Sequence, residues 1–263
     1  MKIELDARLS VQDNATAHYD KAKKAKAKLE GLKKAIQATR AAILEEERKR
    51  VELESATPVL KRVPREKEWF EKFNWTSVSG FLVVGGRDAK SNELVVKRRL
   101  EKGDLYFHAG VHGASSVVLK NGQAAPESVQ QQAAQFAACY SSAWKNGVLA
   151  ADVFAVKPEQ VSKSAPSGEF LPQGSFIITG KKNVFKKVEL KLVLVFEGNK
   201  IVVYPASCGV KGVVVKPLPG EEKGASSRKV LKELERVFPE AAGVIGLDDV
   251  LHALPSGGSA IVK

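Results

Sequence analysis

Two histidines four positions apart, His108 and His112 in LYFHAGVHGASS, are the side chains of this sequence best suited to chemistry. On a helix that spacing would serve a metal ion, but Gly110, Gly113 and the strand-like flanks place the pair on a loop. No Cys, Asp or Glu within the segment completes a third ligand. Ser115 and Ser116 invite a hydrolytic or RNA-processing reading, although a GxSxG elbow is absent and no carboxylate partner is identified. A third use needs less: glycines let a backbone come close to a nucleic acid, and imidazoles stack on bases or donate to phosphates.

Cations gather on either side of the histidines. Arg87 and Asp88 follow the Gly85-Gly86 turn, where Asp88 suits the cap of a helix beginning near Asn92 and Arg87 projects from the loop. Lys97, Arg98 and Arg99 close that helix; they either oppose its macrodipole or join Arg87 in a phosphate clamp. Lys181, Lys182, Lys186 and Lys187 surround Phe185, a basic cluster with an aromatic interleaved as in single-strand readers. Ser162, Lys163, Ser164 and the Pro166-Ser167-Gly168 turn form a polar loop that can line the same surface. Neither GGRD nor the GKK at Gly180 fits the GxxxxGK[ST] phosphate loop, so nucleotide hydrolysis is unsupported.

The elements that position these residues are legible in outline. Short strands are expected at Phe81 to Val84, Leu105 to His108, Ser116 to Leu119, Val153 to Val156, Ser175 to Thr179, Leu190 to Phe196 and Lys200 to Tyr204. Helices are expected from Asn92 to Leu100, from Pro126 to about Trp144, from about Ser226 to Val237, and as a short piece at Leu247 to Leu254. In the second of these Val129, Ala133, Phe136, Ala137 and Tyr140 share one face. The closing PSGGSAIVK reads as a tail with little to fix it. Together these predict an α/β (α+β) domain with a mixed sheet and packed helices.

Ahead of that domain, Val11 to Ser55 lacks proline and is rich in strong helix formers. Ala22, Leu29, Ile36 and Ile43 recur every seven residues with Ala25, Leu32 and Thr39 three later, which predicts a coiled-coil seam of about three heptads. The seam decays at Glu45 to Arg50, where a break into an antiparallel hairpin is possible, and a protein partner on the seam is the alternative. Pro58 and Pro64 bracket VLKRV and mark the exit. The division expected is therefore 1–65 coiled coil, 66–205 globular domain and 206–263 C-terminal extension.

The 263 residues carry 42 Lys and Arg against 30 Asp and Glu, a formal charge of +12 that favours a polyanionic partner. No apolar run is long enough to span a bilayer, and MKIELDARLS has no apolar signal region, so no membrane and a cytoplasmic location are expected. Cys139 and Cys208 have no CxxC partner and read as small buried hydrophobes; no cofactor is implied.

WFEKFNW at Trp69, GGRDAKSNE at Gly85, VKRRL at Val96, GDLYFHAGVHGASSVV at Gly103 and VSKSAPSGEFLPQGSFIITGKKN at Val161, in this order, resemble the NFACT-R domain over about half the chain. The lysine-rich helix opening LSVQDNATAHYDKAKK is similar to the middle region of NFACT proteins, and the part after Ala206 resembles the close of archaeal-type members. The resemblance implies a ribosome quality control factor. Such factors bind the large ribosomal subunit carrying peptidyl-tRNA and direct tRNA-dependent C-terminal tailing of the stalled chain, with peptide-bond chemistry left to the ribosome, so no enzyme is expected. An older family name, fibronectin-binding protein, suggests an adhesin, which the missing signal region argues against. The family's NFACT-N domain and helix-hairpin-helix region are not in these residues, so a missing N-terminal half or a separate NFACT-N-containing partner is expected. Arg87, Lys97, Arg98, Arg99, His108, His112, Lys181 and Lys182 are the residues assigned to an rRNA- or tRNA-binding face.

Overall fold

A computed structural model describes residues 5–56, 68–163 and 171–262. The chain divides into two compact units, Met1–Val59 and Leu60–Lys263.

The first unit is one helix, α1 (Val11–Ala56). Ser10 starts it: its Oγ accepts from the Asp13 amide at 3.1 Å and donates to the Asp13 carboxylate at 2.6 Å, filling a donor that no earlier turn can satisfy. Where a hairpin break was possible at Glu45 to Arg50, α1 runs through, because nothing in that charged stretch lowers helix propensity. The seam residues Leu29, Leu32, Ile36 and Ile43 are each more than half exposed. The expected proline-marked exit at Pro58 and Pro64 lies outside the described residues.

The second unit contains β1 (Asn74–Val78), β2 (Phe81–Gly85), α2 (Ala89–Arg99), β3 (Leu105–Ala109), β4 (Val117–Leu119), α3 (Glu127–Cys139) and α4 (Ser142–Lys145). Then follow β5 (Ala150–Val156), β6 (Val161–Ser162), β7 (Ile177–Ile178), β8 (Asn183–Glu189), β9 (Leu192–Glu197), β10 (Lys200–Pro205), β11 (Val213–Leu218), α5 (Lys223–Val237), α6 (Leu247–Ala253) and β12 (Gly258–Ile261). One sheet has the order β1-β2-β4-β3-β5-β8, a second β10-β9-β11-β12, and β6 pairs with β7. The architecture is α+β, as expected, but every strand pair described is antiparallel, which corrects the expectation of a mixed sheet. The reason lies in the connections. Tight turns at Ser79-Gly80 and Gly198-Asn199, all with positive φ, fold consecutive strands back on each other.

The centre of the six-stranded sheet, at β2 and β4, is buried on both faces. Val83, Val117 and Leu119 point to the main core with Phe136 of α3, while Val84 and Val118 point to a second cluster with Phe73 and Val95 of α2. This period of two is what a doubly covered sheet requires. All five residues expected on the inner face of α3 are buried. The single helix expected to Trp144 is instead α3 and α4, because the Ser141 hydroxyl donates to the Ala138 carbonyl at 2.6 Å and accepts from the Ala143 amide at 3.3 Å, starting a new turn.

The terminal PSGGSAIVK is not a loose tail. Gly258–Leu218 and Ile261–Val215 are register partners in the second sheet, and buried Trp144 donates its indole N–H to the Gly258 carbonyl at 3.1 Å. Cys139 is fully buried and Cys208 only partly; both are free thiols.

Candidate functional site

The GGRD loop is built by its neighbours. The Gly86 amide donates to the Ser116 carbonyl at 3.1 Å, and Ser115 Oγ donates to the Gly86 carbonyl at 2.5 Å. Asn92 of α2 then accepts from the Ser116 amide at 2.9 Å, tying the loop before α2 to the loop before β4. A Cβ on Gly86 would lie 2.2 Å from Asn92 Oδ1, so this packing needs glycine. Asp88 caps α2, accepting from the Ser91 amide at 2.7 Å, while Ser91 Oγ accepts from the Asp88 amide at 2.9 Å. These bonds hold the Asp88 carboxyl below its ordinary pKa, the Ser91 amide first among them. The helix therefore begins three residues before the expected Asn92.

Arg87 is pinned rather than free. Its amide donates to Ser91 Oγ at 2.8 Å, Nη2 donates to the Phe73 carbonyl at 3.1 Å, and Nη1 lies 3.0 Å from His252 Nδ1. A guanidinium only donates, so Nδ1 is the acceptor and the His252 proton sits on Nε2. Desolvation lowers the Arg87 pKa, opposed by Tyr140 and Asp88. Beside it, Lys223 at the start of α5 donates to the Leu254 carbonyl at 2.8 Å, and burial, then Arg87, depresses its pKa to about 8. Tyr140 donates to the Ala253 carbonyl at 2.6 Å. Three side chains from distant parts of the chain thus converge on the last turn of α6.

These groups border a cleft of about 1130 Å³. His108, His112, Lys145 and Lys182 also line it, and Asp88, already engaged as a cap, is the one carboxylate among the described lining residues. A cleft with one sign of charge concentrates anions from solution. Lys182 Nζ sits 4.4 Å from the Phe154 ring centroid, and His108 stacks beside Tyr106 at 6.3 Å and Phe154 at 5.7 Å. Burial lowers the His108 pKa from its ordinary value, opposed by a backbone hydrogen bond with Ala109 and reinforced by Lys182.

The two histidines do not share a loop. His108 is the fourth residue of β3, opposite Phe154 of β5, and only His112 is in the loop, exposed, with its carbonyl accepting from Ser142 Oγ at 2.5 Å. Nor do the serines meet them: Ser115 bonds Gly86, and Ser116 Oγ pairs with Tyr106 OH at 3.1 Å. Among the described residues no group of three His, Cys, Asp or Glu is arranged to hold a metal ion.

Arg87, His108, His112 and Lys182 are brought together; Lys97, Arg98, Arg99 and Lys181 are not among the cleft's residues. Along α2, at 1.5 Å per residue, the backbones of Arg87 and of the Lys97–Arg99 end stand about 16 Å apart. Lys97 pairs with Glu93 at 2.6 Å, Arg99 stacks on Trp69 at 4.1 Å, and Arg98 is exposed. Phe185 is not a free stacking platform, since it packs on Phe107 at 5.9 Å against the core. Lys163 donates to the Pro172 carbonyl at 3.0 Å, while Ser164 and the Pro166-Ser167-Gly168 turn lie outside the described residues. Lys145, Lys223 and His252 belong to the cleft without any local motif announcing them.

Among the described residues, the antiparallel domain presents a cation-lined cleft, a surface suited to an anion. Comparison with known proteins narrows it: residues 68–180 match the family described as NFACT protein RNA binding domain. The archaeal Rqc2 homolog aRqcH of Methanocaldococcus jannaschii is 40% identical over 77% of this chain and 31% of its own length. The ribosome quality control complex subunit NEMF homolog of Drosophila melanogaster is 38% identical over 73% of this chain and 20% of its own. Among solved structures, the C-terminal part of the fibronectin/fibrinogen-binding protein from Streptococcus suis is similar over 68% of this chain and 76% of that one, at 21% identity and a TM-score of 0.39. The chain belongs to the NFACT family and corresponds to the C-terminal part of its ribosome quality control factors. It spans a third or less of the length of the two curated relatives.

Proposed function

We propose that this chain is the RNA- and ribosome-binding part of a ribosome quality control factor, with RNA entering the cleft at Arg87, Lys182 and Lys223. The observation that carries this reading is a cleft whose cations exceed its single, already engaged carboxylate. RNA phosphates supply the missing charge, and the His108 ring beside Phe154 offers a flat surface to an unpaired base. Exposed Arg98 and Lys97 at the far end of α2, and exposed Lys181 next to Lys182, give further phosphate contacts to a longer strand, while Arg99 holds Trp69.

On this reading the factor works in the cytoplasm without catalysing a reaction itself. It engages the large subunit carrying peptidyl-tRNA, through rRNA and tRNA, and supports tRNA-dependent tailing together with an NFACT-N-containing half or partner. The exposed seam of Leu29, Leu32, Ile36 and Ile43 favours a protein partner on α1 as well. No helix among the described residues is long and apolar enough to cross a membrane. Co-sedimentation of the chain with split large subunits carrying a stalled peptidyl-tRNA tests the assignment. Retention that falls with Lys182→Glu and Arg98→Glu supports it, and equal retention of a charge-matched control protein contradicts it.

A further inference from the structure

We propose that single-stranded RNA leaves the cleft across the outer face of β3, β5 and β8, its bases on the row His108, Phe154 and Val184 and its phosphates on Lys182 and Lys186. The inference rests on the RNA-binding reading of the cleft and adds the path and form of the ligand, a single strand and not a duplex.

The row follows from register. His108 of β3 pairs with Phe154 of β5, and Phe154 with Val184 of β8, so the three side chains stand side by side on one face of the sheet. The His108 and Phe154 rings lie 5.7 Å apart and line the cleft, while Val184, on the edge strand, is exposed. The opposite face of β8 is turned to the core, with Phe185 and Val188 packed against it. Alternation therefore sends Lys182 and Lys186 to the side of Val184, and Lys182 Nζ stands 4.4 Å from the Phe154 ring centroid. The basic cluster that the sequence centres on Phe185 is thus centred on Phe154.

Charge points to the occupant. Lys181, Lys182, Lys186 and Lys187 are all exposed, against two carboxylates on β5 and β8, Asp152 and Glu189. Flat and apolar side chains beside cations take unpaired bases and a phosphate chain together, whereas a duplex keeps its base faces stacked inside. A protein strand adding to the edge is disfavoured. Lys187 has a φ of 52° and its amide already donates to Asp152 Oδ1 at 2.7 Å, so β8 is irregular and lysine-rich where a new ladder would form. With strands about 4.8 Å apart, the row spans about 10 Å, room for about three stacked bases.

Fluorescence anisotropy with the full chain at fixed salt tests this, using single-stranded RNAs of about four and about ten nucleotides and a duplex of the longer one. The longer strand is expected to bind about tenfold more tightly than the shorter, and more tightly than the duplex. Lys186→Glu, at an exposed position outside the core, should bring the longer strand close to the shorter one, which keeps its affinity. Lys216→Glu, an equal charge change at an exposed position of β11, should leave the length preference in place. Phe154→Leu keeps an apolar side chain and removes the ring, and is expected to lower single-strand binding about tenfold. Equal loss of the length preference in Lys186→Glu and Lys216→Glu overturns the path. A preference that Lys186→Glu and Phe154→Leu both leave intact also overturns it, and leaves the face to a protein partner. Duplex binding as tight as single-strand binding overturns the stacking row. In each of these cases salt-sensitive RNA binding leaves the cleft reading standing, whereas absence of binding to every RNA overturns both.

Discussion

Arg87 and His252 stand 165 positions apart in the chain and meet at 3.0 Å, Nη1 donating to Nδ1. The contact couples the GGRD loop to α6, so the shape of the cleft depends on a planar donor that reaches His252 and the Phe73 carbonyl together. A lysine has the charge but not the fork. Arg87→Lys is therefore expected to weaken RNA binding about tenfold with charge retained, measured by anisotropy at fixed salt. Affinity equal to that of the unaltered chain would mean that Arg87 acts only as a diffuse charge.

Gly86→Ala drives a methyl into Asn92, whose Oδ1, N and Cα all lie within 2.7 Å of the added atom. Backbone cannot move aside as a flexible side-chain end does, so the substitution is expected to cost about 1–3 kcal/mol or more. Chemical denaturation reads this directly. The bond from the Ser116 amide to Asn92 should be lost with it, detectable as faster hydrogen exchange at Ser116.

Asp88 is a helix cap with a lowered pKa, so its contribution is present above the unfolded value near 3.8 and is lost as pH falls through the lower folded value. Asp88→Ala should cost about 1 kcal/mol at pH 7, whereas Asp88→Asn, which can still accept from the Ser91 amide, should cost little. Thermal melts at pH 7 and near pH 2 check both. The gap between Asp88→Ala and the unaltered chain should narrow at the acid end.

Lys223 carries the opposite sign. Its folded pKa of about 8 lies below the ordinary 10.5, so between these values the unfolded chain binds more protons and stability rises with pH. Below about pH 8 the fold bears a disfavoured charge. Lys223→Met is therefore expected to melt higher than the unaltered chain at pH 7, with the difference shrinking toward pH 10 and above, while RNA binding at pH 7 falls. Such a trade of stability against binding is the mark of a functional cation.

The motifs that lie close together in sequence were legible: Asp88 as a cap, the inner face of α3, and the strands around Val83, Phe107 and Val118 follow from local pattern. Five strands were not. β1 (NWTSV) is short and polar, β6 (VS) is a two-residue pairing with β7, β8 (NVFKKVE) is an edge strand whose lysines face solvent, and β11 and β12 arise from long-range pairing, β11 with β9 and β12 with β11. The cleft divides the same way. Arg87 and the histidines stand out by type and spacing, whereas Lys145, Lys223 and His252 reach it only through tertiary packing, in segments that read as ordinary amphipathic helix or loop. Lys97 to Arg99 stand only ten to twelve positions from Arg87 in sequence, but laid out along α2 at 1.5 Å per residue those positions span about 15 to 18 Å.

The salt dependence of RNA binding bears most directly on the claim that this cleft is the RNA face. If Lys145 and Lys182 each neutralise a phosphate of a single strand, Lys145→Gln/Lys182→Gln should reduce the slope of log affinity against log salt by about 1.4 as well as lowering affinity. An unchanged slope, in a folded double variant, would place the RNA elsewhere on the molecule.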